Sequence, residues 1–209
     1  MPDAQLTDRA SIARHGRRLE YFSILWNVLE GLIAVIAGLM AGSISLVGFG
    51  IDSFIEVTSA SVLLWRMSVD ADIARREPNE RLALKIVGGS FLALSAYIGY
   101  ESVADLVRRQ APEHSLPGIV LACASLLVMP LLSRAKRKVG TALGSAAMHA
   151  DAKQTDFCVY LSAILLVGLL LNALFGLWWA DPVAALVMVP IIAKEGLDGL
   201  RGEGCRCAD

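Results

Sequence analysis

Asp52 and Glu56 lie one helical turn apart inside an apolar run from Ile44 to Trp65. A carboxylate near the centre of a bilayer costs about 2.5 to 3.5 kcal/mol on insertion scales, so an intramembrane acidic pair marks a site that handles a cation or a proton. At 100° per residue, Ser45, Asp52, Glu56 and Ser59 fall along one narrow face of a helix. A second stripe of the same kind runs through Asp151, Gln154, Cys158 and Ser162. If the two stripes face each other, Asp52, Glu56, Asp151, Gln154 and Cys158 could surround a divalent cation with oxygen donors and one sulfur. Such a set suits a tetrahedral ion like Zn²⁺ and leaves other first-row metals open. The thiol binds as thiolate, so loading releases protons, a direct route to metal/proton exchange.

Other polar residues sit at helical spacing in the same apolar runs. Glu20, Asn27 and Glu30 share one side of the first. Glu20 is expected at the headgroups beside Arg17 and Arg18. Glu30 is deeper and either lines the cation path or pairs with another helix. Opposite the Asp151 stripe stand His149, Lys153, Asp156 and Tyr160. Lys153 and Asp156 can pair as neighbours, which makes this face a structural or dimer contact. The other reading gives His149 and Asp156, with Glu30, to the pathway or a proton relay. Two thiols at Cys205 and Cys207 close the chain. They offer at most two soft ligands, too few for a closed metal site.

The elements that position these residues must be membrane helices. The chain has 209 residues, is 56% hydrophobic and carries a formal charge of −1, and its mean hydropathy is +0.58. That is too apolar for a soluble domain of this length. A span needs about 20 mostly apolar residues, and six stretches qualify, roughly 18–41, 44–67, 82–107, 117–133, 146–175 and 181–200. The sequence therefore predicts an all-α membrane protein of six transmembrane helices. Small residues such as Gly38, Gly48, Gly88 and Gly89 permit close helix packing in lipid.

Basic residues near span ends are retained in the cytoplasm. They gather at Arg9 to Arg18, Arg66 to Lys85, Arg134 to Lys138 and Arg201 to Arg206 on one side, against Arg108 and Arg109 on the other. Both termini are therefore expected to be cytoplasmic. The expected layout is an N-terminal tail over 1–16, a six-helix cation-transport domain over 17–200 and a C-terminal tail over 201–209. Segments Ser68 to Arg81 and Ser133 to Gly144 read as the longest loops. The cysteines suggest free thiols rather than disulfides. No phosphate-binding loop and no nucleophile–base pair points to an enzyme, a prosthetic group or nucleic acid binding.

With these residues in place, the chain resembles the cation diffusion facilitator family over about residues 16 to 200. That family carries two second-span ligands four apart in a segment like Asp-Ser-x-x-Asp; here it reads Asp52-Ser53-Phe54-Ile55-Glu56. Tyr100-Glu101-Ser102 followed by Pro112-Glu113 is similar to the family's third span and its exit. The fifth-span motif, Ala-Asp-x-x-His-x-x-x-Asp, keeps Ala150-Asp151 but has Gln154 at the His and Cys158 at the Asp. The chain resembles a shortened form without the C-terminal cytoplasmic domain. The resemblance implies a homodimer in the cell (inner) membrane that exports Zn²⁺ or a similar divalent cation, with protons as the counter-ion. A metal-binding or sensing protein without net transport is the alternative.

Overall fold

The computed structural model describes residues 2–68, 73–109 and 112–201, which form six helices: α1 (Pro2–Ala41), α2 (Ile44–Ser68), α3 (Ile73–Arg108), α4 (Leu116–Leu143), α5 (Ala146–Phe175) and α6 (Ala180–Arg201). No strand occurs among the described residues. The Cys205 and Cys207 tail lies outside them.

α1 shows why this chain folds as a membrane protein. Glu20, Ser23, Asn27, Glu30 and Ala34 recur at helical spacing and are all buried. The opposite stripe, Tyr21, Leu25, Leu29, Leu32, Ile36 and Leu39, is exposed. Polar groups face inward and apolar ones outward, the reverse of a helix packed in water. Stretches of α1, α2, α4 and α5 are long and apolar enough to cross a membrane: Ser11–Ala41, Ile44–Leu64, Leu116–Leu143 and Asp151–Phe175. α3 and α6 carry more charge. They are nevertheless 36 and 22 residues long, and at about 1.5 Å per residue even α6 covers a hydrocarbon core of roughly 30 Å.

The helices run past the predicted span ends. The segment from Ser133, expected as a loop, is the last part of α4, which continues to Leu143. Arg, Lys and Ala are good helix formers, so hydropathy marks where lipid contact stops rather than where hydrogen bonding stops. α4 ends at Gly144, whose φ of 62° is the left-handed cap conformation that glycine adopts without cost. Ser145 then caps α5, its hydroxyl accepting from the Met148 amide at 3.3 Å. The connection is therefore only Gly144-Ser145, and the two helices are held as a tight antiparallel pair.

α2 is the central helix, in contact with α1, α3, α5 and α6, while α4 packs on α5 and α1. Its first turn is tied to that of α6. The Asp181 carboxylate, 1% exposed, accepts from Ser43 Oγ at 2.6 Å and from the Ser45 hydroxyl. The negative charge stands where two helix N-termini meet, which favours it.

The helices approach closely at glycines. A Cβ added to Gly88 of α3 would lie 2.7 Å from the Gly196 carbonyl oxygen of α6, and one on Gly196 would lie 2.9 Å from the Gly88 oxygen. Backbone meets backbone there, so Gly88→Val must push α3 and α6 apart. We expect it to lower stability by about 1–3 kcal/mol, read as a reduced unfolding temperature in detergent. Gly89→Val, which meets nothing within 4 Å, is the neutral control.

Candidate functional site

The two acidic residues of α2 open onto a cavity between α2, α3, α5 and α6. Asp52 and Glu56 are 6% and 2% exposed, and they line it together with Gln154 of α5 and Glu195 of α6. Phe91, Phe157, Leu161, Ile191 and Ile192 complete the wall. The cavity holds about 10 Å³, room for roughly one water-sized sphere. Gln154 Nε2 and Glu195 Oε2 are buried and have no hydrogen-bond partner among the described residues. Three carboxylates and an amide thus line a space for one small sphere.

The five donors expected to share one ion are divided by the fold. Asp52, Glu56 and Gln154 meet at the cavity. Cys158, one turn beyond Gln154, is buried against α1, with its Sγ 3.9 Å from Glu30 Oε2. Glu30 also accepts from Ser53 Oγ at 3.1 Å. Cys158 thus forms a second layer beside the cavity, within electrostatic reach of Glu30, Glu56 and Asp52. Asp151, one turn before Gln154, is ion-paired with Lys136. No three Asp, Glu, His or Cys side chains converge as a closed metal site among the described residues.

Below the cavity lies a buried polar network. Lys136 is fully buried, pairs with Asp151 and lies 3.3 Å from Glu20 Oε2. Its Nζ is also 3.4 Å from Thr155 Oγ1, and that hydroxyl donates to Glu56 Oε1 at 2.9 Å. A continuous chain of polar contacts therefore joins Glu20 on α1 to Glu56 at the cavity.

Three expectations change here. Glu20 is fully buried rather than at the headgroups, because α4 brings Lys136 to it. Lys136 is an interior residue rather than part of a loop: Met129, Leu132, Lys136 and Val139 are buried at helical spacing, a periodicity that continues α4 through the basic cluster. Asp156 is paired with Arg137 and Ser133 of α4 in place of Lys153. His149 sits half-buried over Gly140 of α4, with Nε2 3.5 Å from the Thr141 hydroxyl. Glu195 had a signal too, since Ile191, Ile192 and Glu195 lie at helical spacing, but only the packing of α6 turns it toward Asp52.

An all-helical bundle with lipid-facing apolar stripes and a carboxylate-lined interior defines an integral, multi-pass membrane protein. Residues 21–202 match the family described as the cation efflux transmembrane domain, and the chain belongs to that family. It is 30% identical over 186 residues to an uncharacterized transporter of Methanocaldococcus jannaschii, covering 84% of this chain and 64% of that protein. It is 26% identical to transmembrane protein 163 of Xenopus laevis, covering 86% and 64%. With the cation-efflux pump FieF of Shewanella oneidensis it shares 28% identity, covering 79% and 58%. The chain thus spans less than two thirds of these relatives' lengths.

Proposed function

We propose that this chain moves a divalent transition-metal cation out of the cytoplasm in exchange for protons, acting as a homodimer with both termini in the cytoplasm. The observation that carries this reading is the one-ion cavity lined by Asp52, Glu56, Gln154 and Glu195 within an apolar helical bundle. Asp52 and Glu56 supply the charge that draws the ion from water, strengthened by the low-dielectric surroundings. Gln154 supplies a neutral oxygen and Glu195, partly buried, a third carboxylate. Cys158, beside Glu30, gives a thiol that an ion passing toward α1 meets next. Asp151 belongs to the support of the site, through Lys136 and Thr155.

Carboxylates and a thiol must shed protons to take up a metal. Loading therefore weakens as pH falls and releases protons as it proceeds. Family membership and the kinship with a named cation-efflux pump support the direction of transport. Zn²⁺ is the favoured cargo because it accepts oxygen and sulfur donors alike.

The test is flux into proteoliposomes loaded with an indicator dye, comparing Zn²⁺, Co²⁺, Fe²⁺, Mn²⁺ and Cd²⁺ under an imposed pH gradient. Gradient-dependent flux of at least one ion is expected. Cys158→Ser is expected to shift selectivity from Zn²⁺ and Cd²⁺ toward Mn²⁺, since a hydroxyl is the harder donor. Metal binding without flux would give the protein a sensing role, and no binding of any ion would end the metal reading.

A further inference from the structure

Lys136 is the feature that cation carriage alone does not explain. A lysine with a fully buried side chain costs several kcal/mol to desolvate unless its neighbours repay it. Its neighbours are drawn from two other helices: Asp151 and Thr155 from α5 and Glu20 from α1. Glu20 is 0% and Asp151 4% exposed. Both Glu20 oxygens and Asp151 Oδ1 are buried without a hydrogen-bond partner among the described residues, Glu20 Oε2 having only its 3.3 Å ion-pair contact with Lys136. One ammonium thus occupies the centre of two carboxylates and a hydroxyl whose donor capacity it does not exhaust. Among the described residues its polar contacts are all to oxygen, a set suited to a hard divalent ion rather than a soft one.

We propose that Glu20, Asp151 and Thr155 form a second cation site, which the chain fills with its own Lys136 ammonium. The tethered charge holds Asp151 out of metal ligation. It also places Thr155, whose hydroxyl donates to Glu56 Oε1 at 2.9 Å, so that Glu56 faces the cavity. Lys136 is therefore a positioning residue. It confines the cargo to one ion at the Asp52–Glu56 cavity by occupying the neighbouring seat. This inference rests on the proposed cargo site only for the last step; the second seat stands on its own contacts.

Bound Mn²⁺ is counted by equilibrium dialysis and electron paramagnetic resonance on the full chain in detergent, for wild type, Asp52→Ala, Lys136→Met, Lys136→Gln and each Lys136 variant combined with Asp52→Ala. Lys136→Met and Lys136→Gln are expected to gain one Mn²⁺ per chain over wild type. The gain should persist in the Asp52→Ala background and disappear when Asp151→Asn is added. Lys136→Arg, which keeps the charge, should gain none. A purely structural lysine would change the unfolding temperature without adding an ion. If Lys136→Met accumulates only when Mn²⁺ is present during purification, the ion is replacing the ammonium and the proposal holds. Folded Lys136→Gln with no added ion overturns it. So does failure of both variants to accumulate even with Mn²⁺. Unchanged Mn²⁺ binding in Asp52→Ala alone would count against the cargo site and leave the second seat untouched.

Discussion

Asp52→Ala and Glu56→Ala are each expected to cut metal flux by about 100-fold or more, equivalent to at least about 2.8 kcal/mol of lost cation stabilisation. Both carboxylates line a cavity with space for one sphere, so an ion seated there has little water to replace a missing oxygen. Asp52→Asn and Glu56→Gln separate charge from shape, since the amides keep the volume and one oxygen. They should lose nearly as much, because the ion must give up its hydration for a site with one charge fewer. Unfolding temperatures in metal-free buffer should hold or rise, as each change removes a buried ionisable group that has no ion there to offset its desolvation. Flux that survived Asp52→Asn would remove the cavity from the transport path.

Asp151→Ala is expected to fail differently. Lys136 is fully buried and, among the described residues, would keep Glu20, at 3.3 Å, as its remaining ion-pair partner. Breaking a buried pair by removing one partner costs about 3–5 kcal/mol, and the remaining acid places the expected loss near the lower figure. The measurement is thermal unfolding in detergent with a chelator present, so that metal plays no part. A large drop there assigns Asp151 to the ion pair. Unchanged stability, with loss of metal binding, would return Asp151 to the set of ligands.

The division between what the sequence tells and what it hides follows from scale. Periodicity placed Asp52 and Glu56 on one stripe and Gln154 on another, and these are residues that meet at the cavity. It also placed Asp151 and Cys158 on the stripe of Gln154. From Asp151 to Cys158 the helix rises about 10 Å, however, and each level meets a different neighbour: Lys136, then Glu195, then Glu30. A stripe fixes the face of a helix but not its company along the axis. The apolar runs of α1, α2 and α5 were legible because lipid contact demands them. The extent of α4 was not, since its basic cluster reads equally as a loop or as the end of a helix. Glu20 was misplaced for the same reason, because its partner lies on a helix remote in sequence.

The Lys136 pairing also bears on how the protein is made. Charged residues inside a span resist entry into the bilayer, by about 2.5 to 3.5 kcal/mol each on insertion scales. Glu20, Lys136 and Asp151 enter on three separate helices and neutralise one another only once α1, α4 and α5 are side by side. α4 is synthesised before the helix that carries its principal counter-charge. The hairpin closed by Gly144 and Ser145 supplies that counter-charge within moments of the lysine's arrival, so the two helices are best inserted as a pair.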